Sequence, residues 1–343
     1  MKSLRMFAPL AAALLLSVGA TGASAQTVLT MSSWVPATHS LTRDVLQVWA
    51  KNVEKATEGR VTFKMLPKHP SKPPGTIDAV RDDLVDVSFV TASYTPARFA
   101  LPYLAELPGA GATAEINSVA YSRIHWKYLA KAHEWKGVKL LGVFTHGPGQ
   151  MFTANKKITS VADLAGLKIR TGGGISEAAG KLLGASPLVK PAPQSYELLS
   201  SGVVDGVFFP TESIESFKLD KVVKYATFFP GGFYCSAFGF FMNQEKWDKL
   251  PKRDQDAIMS VSGEALARLA GRSWDAADRG GLEALKAAGV TITQASPEFV
   301  AEVQKLTAPL VQDWIKNANA KGIDGAKVYA AFHEELKNVA AGH

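Results

Sequence analysis

The chain has a single cysteine, Cys235, in 343 residues. No disulfide can form within it, so its stability has to come from a packed core. Beyond the first 25 residues no apolar run reaches ~18 residues, which excludes a membrane-spanning helix there and predicts a soluble body. Runs of like charge are also missing. The formal net charge of +7 falls to +5 without Lys2 and Arg5, and the remaining basic residues are dispersed and not interleaved with aromatics. That pattern does not support nucleic-acid binding. It fits a solvated surface, with at most a weak steering field for anionic solutes.

Catalytic signatures are equally scarce. The seven histidines form no His-x-x-x-His or His-Glu-x-x-His pair, and none is spaced with a cysteine, so no zinc site is indicated. His133-Glu134 and His333-Glu334 are adjacent pairs that point apart on helices. There is no Gly-x-Ser-x-Gly nucleophile elbow. The triglycine Gly172-Gly173-Gly174 lacks the Lys-Ser/Thr of a phosphate loop and opens no Gly-x-Gly-x-x-Gly turn, so a nucleotide site is not supported. Spacing nominates no pair of catalytic carboxylates. The expectation is a protein without metal, cofactor or turnover.

The amino terminus reads as a secretory leader. Lys2 and Arg5 precede an apolar stretch over residues 7–20, and Ala23-Ser24-Ala25 supplies small residues for cleavage after Ala25. No cysteine follows that could carry a lipid. The chain beyond it is long enough for two domains.

Residues 161–210 organise the rest. Ser160 and Asp163 have capping-box spacing at the start of a short helix that Gly166 stops. Leu167 and Ile169 then alternate with Lys168 and Arg170, the pattern of a half-buried strand. The strand ends on Arg170 and breaks into three glycines, which places a guanidinium at a sheet's carboxyl edge. Open α/β folds bind ligands at that edge. Arginine is suited to gripping a carboxylate through two parallel hydrogen bonds.

Two further strand signals face each other in kind. Val85-Asp86-Val87-Ser88-Phe89 and Val204-Asp205-Gly206-Val207-Phe208 each follow a predicted helix and carry an acidic residue at the strand entry. One unit used twice predicts two lobes whose strand ends meet across a cleft, with Tyr94 and Phe209 near opposing walls. Trp34 and His39 lie at the turn after the first strand, on the same kind of edge as Arg170. The aromatic stretch 228–241 is too broken to span a membrane. It reads as a loop and then a strand crossing back between lobes, with Tyr234 the pocket candidate. The strand over 138–144 ends at residues 146–150, and the chain is expected to cross first over residues 151–155. Residues 245–288 read as largely helical with a weak point at Gly280-Gly281, long enough to lie along both lobes.

Leu164-Ala165-Gly166-Leu167-Lys168-Ile169-Arg170, Gly184-Ala185-Ser186-Pro187, Tyr196 and Gly202-Val203-Val204-Asp205-Gly206 resemble the solute-binding proteins of tripartite ATP-independent periplasmic (TRAP) transporters, the dicarboxylate-binding type. Pro36-Ala37-Thr38-His39, Gly59-Arg60-Val61, Ala79-Val80-Arg81, Asn243 and Trp247-Asp248-Lys249-Leu250-Pro251 extend the resemblance over nearly the whole chain in order. It implies an α/β, two-lobed periplasmic-binding-protein-like fold: a mixed sheet flanked by helices in each lobe, hinge strands, and a long helix spanning both. The expected division is lobe I from 26–148 plus about 240–282, and lobe II from 149–239 plus about 283–343. The implied function is periplasmic capture of a small-molecule organic acid by lobe closure, acting as a monomer, and delivery to the small and large membrane subunits. A ligand sensor of a signalling system with the same fold is the alternative.

The resemblance assigns a ligand carboxylate to Arg170 and a polar pocket residue to Gln150. The family usually adds an asparagine after its Asp-Gly motif, and here that position is Phe209 beside Phe208. Replacing an amide by rings predicts an apolar or aromatic monocarboxylate stacked on Phe209. A glycine-rich turn is usual at 67–75, where this chain has four prolines.

Overall fold

A computed structural model describes residues 26–343, so the leader and its cleavage site lie outside the described residues. Eleven strands follow in chain order: β1 (Thr27–Met31), β2 (Val61–Met65), β3 (Val87–Thr91), β4 (Val138–Thr145), β5 (Gln150–Thr153), β6 (Lys168–Thr171), β7 (Ser186–Val189), β8 (Gly206–Phe209), β9 (Tyr225–Phe228), β10 (Ala237–Asn243) and β11 (Thr291–Gln294). They form two sheets, ordered β2-β1-β3-β10-β4 and β11-β9-β5-β8-β6-β7. Each is mixed. β1 runs parallel to β2 and β3, while β10 lies antiparallel between β3 and β4. In the second sheet β6 is parallel to β7 and β8, and β5 is antiparallel to β8 and β9. The two-lobed α/β architecture expected from the sequence is present.

The chain passes between lobes at residues 146–149 and returns at residues 229–236. These crossings hydrogen-bond to each other: Gly149 N–H donates to the Tyr234 carbonyl (2.8 Å), Phe233 N–H to Gly149 (3.2 Å) and His146 N–H to Ser236 (3.3 Å). Two short paired segments resist stretching but can twist, which is the geometry of a hinge.

The third connection is the helix Gly263–Ala287, 25 residues long and unbroken through Gly280-Gly281. Its glycines mark contacts. A Cβ on Gly271 would lie 2.4 Å from Glu115 Cα in the first lobe, and one on Gly281 would lie 2.1 Å from the Thr211 carbonyl oxygen in the second. Two aspartates of the same helix cap a helix in each lobe. Asp275 accepts from the N–H groups of Ala114 (2.7 Å) and Glu115 (3.1 Å), at the start of the helix Ala114–Ile124. Asp278 accepts from Glu212 N–H (2.7 Å), at the start of the helix Glu212–Ser216. Carboxylates at helix amino termini satisfy otherwise unpaired N–H groups and complement the dipole.

The terminal region touches both lobes. β11 joins the edge of the second sheet, but Arg123 of the first lobe pairs with Glu335 (3.2 Å) and Trp314 Nε1 donates to Leu101 (3.2 Å). The helices Pro309–Ala320 and Gly325–Ala340 therefore lean on lobe I, because their apolar stripes need a partner face and the 101–124 region supplies one.

Candidate functional site

The capping box at the start of the organising stretch forms as its spacing predicts: Asp163 Oδ2 accepts from Ser160 N–H (3.1 Å) and Thr159 N–H (2.9 Å). Gly166 follows at φ +74°, a left-handed turn that suits glycine, and β6 begins. Strand alternation then decides what faces the cleft. Ile169 goes into one core cluster, and Arg170 goes to the opposite face with its β8 neighbour Val207.

Arg170 is only 2% exposed. Its Nε donates to the Lys190 carbonyl (2.9 Å) and its Cζ sits 4.2 Å from the centre of the Phe209 ring. Burial lowers its pKa from the ordinary arginine value, yet a guanidinium remains charged in a protein. Among the described residues no carboxylate pairs with it. A buried cation without an internal counter-ion is costly, and an anion in the cleft would offset that cost.

The cavity in front of Arg170 is narrow, with ≈ 40 Å³ open to the centre of a water-sized sphere, and is walled mainly by rings. From the first lobe, Trp34 donates its Nε1–H to the Phe89 carbonyl (2.8 Å) and packs 5.6 Å from Tyr94. The Tyr94 hydroxyl accepts from Ala192 N–H of the second lobe (2.8 Å), a bond across the cleft. His39 lines the same space, but both its nitrogens are engaged. Nδ1 accepts from Leu41 N–H (3.1 Å), so Nε2 carries the proton and donates to Glu212 (3.3 Å) across the lobes. Burial holds the His39 pKa down to about 3, so it is neutral. Tyr234 enters from the returning hinge segment.

Six of the eight residues named from the sequence thus meet at one cavity: Arg170, Phe209, Trp34, Tyr94, Tyr234 and His39. Two do not. Gln150 gives its side chain to the hinge backbone, donating to the Phe229 carbonyl (3.2 Å) and accepting from Phe229 N–H (2.7 Å). It fixes β5 against the returning crossing and does not reach the pocket. Phe208 points to the other face of β8, 4.8 Å from Phe233 in the core. Phe209 also has a different setting from the one expected. One of its faces carries the Arg170 guanidinium, and Phe217 stacks beside it at 5.9 Å.

The triglycine serves the lobe contact more than a ligand. A Cβ on Gly173 (φ +90°) would lie 2.9 Å from the Ser93 carbonyl oxygen, and one on Gly174 would lie 2.6 Å from Glu106 Oε2. Only Gly172 lines the cavity.

The sequence reading passed over His146, Phe217, Phe238 and Trp274, which also line the cavity. For His146 a signal existed, since it closes the strand before the first crossing. Its Nδ1 donates to the Gly147 carbonyl (2.5 Å), and burial lowers its pKa to about 4. Phe217 and Trp274 come from distant helices and left no local mark.

The family model described as DctP, bacterial extracellular solute-binding protein, family 7, matches residues 31–317. A TRAP periplasmic solute-binding protein from Bordetella bronchiseptica, with bound (R)-mandelate and (S)-mandelate, is 47% identical and superposes with a TM-score of 0.89, covering 91% of this chain and 99% of that one. A marine-metagenome TRAP solute-binding protein specific for aromatic acid ligands, in complex with 3-hydroxybenzoate, is 33% identical, with a TM-score of 0.85 and coverage of 92% and 99%. A third, from Rhodoferax ferrireducens with copurified benzoate, is 26% identical, with a TM-score of 0.86 and the same coverage of 92% and 99%.

Proposed function

The chain belongs to family 7 of the bacterial extracellular solute-binding proteins, DctP, and from that membership we propose that it captures an aromatic or similarly apolar monocarboxylate in the periplasm and hands it to the membrane subunits of a TRAP transporter. The family consists of periplasmic receptors, and among the described residues no helix is long and apolar enough to cross a membrane. In this reading the leader is removed after Ala25, the mature protein works as a monomer, and the ligand leaves chemically unchanged.

One observation carries the ligand class: Arg170 is a fully buried cation without a carboxylate partner among the described residues, at the end of a cavity walled by rings. Charged hydrogen bonds to a ligand carboxylate supply about 1.5–3 kcal/mol each. Burying ~100 Å² of a ligand ring adds about 2.5 kcal/mol at the usual area coefficient. The two contributions are comparable, so a ligand needs both ends. Phe209 stands where an amide would share the carboxylate, which removes the donor that a sugar acid or a second carboxylate would use. The ligands of the three similar structures, all aromatic acids, support the same class.

The test is mass spectrometry of ligand released from purified protein, followed by calorimetry with benzoate, phenylacetate, mandelate, succinate and sialate. Aromatic acids should bind and raise the melting temperature. Tight succinate or sialate binding with no response to aromatic acids overturns the assignment.

A further inference from the structure

Two histidines line the cavity, and their hydrogen bonds put them in opposite tautomers. His39 receives a backbone N–H on Nδ1 and spends its Nε2 proton on Glu212. His146 does the reverse. A carbonyl oxygen can only accept, so the contact from Nδ1 to the Gly147 carbonyl puts the proton on Nδ1 and leaves a lone pair on Nε2. Among the described residues nothing donates to that lone pair. His146 is 5% exposed, lines the cavity and lies near enough to Arg170 to feel its charge. Tyr234 meets the imidazole edge-on at 5.5 Å and Trp274 packs at 5.8 Å, which fixes the ring plane.

We propose that His146 is a specificity-determining residue: its Nε2 accepts a hydrogen bond from a hydroxyl on the bound acid, so that the preferred ligands are aromatic acids carrying a hydroxyl donor on the side chain or the ring. The inference rests on the aromatic-carboxylate reading and deepens it. Arg170 supplies only donors and so recognises the carboxylate. His146 supplies the acceptor, which repels a second carboxylate and accepts from an alcohol or phenol. A desoxy acid leaves a buried acceptor unpaired against its ring, and an unpaired buried polar group is penalised more than a made bond is rewarded.

The experiment is calorimetry with matched acids: phenylacetate against mandelate and 3-hydroxyphenylacetate, on the wild-type protein and on His146→Phe. The wild type should bind at least one hydroxylated acid about tenfold or more tightly than phenylacetate. In His146→Phe that margin should vanish, because the hydroxylated acids lose their acceptor and phenylacetate no longer leaves one unpaired. Equal affinities in the wild type, or a margin that survives in the variant, overturn the proposal and leave the carboxylate reading standing. Failure of every acid to bind overturns both. Should His146→Phe not fold, the nitrogen resonance of Nε2 in the wild type gives the answer. It should shift toward the hydrogen-bonded position with the hydroxylated acid and not with phenylacetate, and identical shifts overturn the proposal.

Discussion

Arg170 lies over the face of Phe209, its Cζ 4.2 Å from the ring centre, and the two side chains stand on adjacent strands of the same lobe. The ring supports the guanidinium plane, and Tyr94 and Tyr234 lie beside its outer N–H groups at the cavity. Replacing Arg170 by alanine should reduce carboxylate affinity by at least about thirtyfold, since truncating one partner of a buried charge pair costs about 2–5 kcal/mol. The unliganded protein should melt no lower than the wild type, because an uncompensated buried cation has been removed. Calorimetry and a melting curve of the ligand-free variant check both halves. A large loss of intrinsic stability would mean that Arg170 is chiefly structural.

Phe209→Asn restores the amide that the family usually carries at this position and removes the stack. The lost cation–π contact is worth up to about 2 kcal/mol at a desolvated site. Affinity for phenylacetate should therefore fall by roughly tenfold, and binding of a hydroxylated aliphatic acid such as lactate should rise. Parallel titrations of both acids decide it. An unchanged ratio between them would show that Phe209 does not set the ligand class.

How much of this was readable in advance depends on which residues are asked about. Arg170 was legible because strand alternation and a glycine break are local signals. The long helix was legible as part of the helical stretch 245–288, and the weak point expected at Gly280-Gly281 does not break it. The facing of Phe208 and Phe209 was not, because two adjacent rings satisfy a period of two in either phase, and only the pairing of β6 with β8 fixes it. Gln150 failed for a related reason. Its competing partner, the Phe229 backbone, lies 79 residues away and appears only once the two crossings meet. The packing partner of the terminal helices was not legible, because an amphipathic stripe says that a face is buried but not against what.

Three buried carboxyls sit at contacts that tie the lobes together. Glu106 accepts from Ile175 N–H (3.2 Å) and Ala237 N–H (3.0 Å), and burial raises its pKa to about 8. Glu212 is raised to about 7 and Asp278 to about 8, also by burial. Below their unfolded values these groups are protonated in both states. As pH rises, the unfolded chain releases their protons first, so stability falls until the folded values are passed. Buried His39 and His146, lowered to about 3 and about 4, act in the opposite sense below pH 6.5, as do His69 and His125, each lowered to about 4 by burial. The two sets oppose each other between pH 5 and 6.5, and only the carboxyls remain between 6.5 and 8. The melting temperature should be nearly flat over the first interval and fall over the second, each proton contributing up to about 1.4 kcal/mol per pH unit. Asp278→Asn should make the fall shallower. A melting temperature that rises from pH 6.5 to 8 would contradict this assignment.

Adjacent glycines in the long helix give the sharpest structural test. A Cβ on Gly281 would fall 2.1 Å from the Thr211 carbonyl oxygen and 2.9 Å from Glu212 N, both backbone atoms that cannot step aside. A Cβ on Gly280 would meet only the carboxylate end of Glu215, at 3.2 Å. Both glycines are helical, so the propensity gain from alanine, up to about 1 kcal/mol, is the same for each. Gly280→Ala should therefore be neutral or slightly stabilising. Gly281→Ala should destabilise by about 1–3 kcal/mol, as overpacking does. It should also weaken ligand binding, because the shift separates Asp278 from the helix it caps and displaces the Phe209-Pro210-Thr211 segment under the pocket. Melting curves and one titration per variant measure this. If the two variants behave alike, the close approach of the second lobe to Gly281 does not hold the lobes in place.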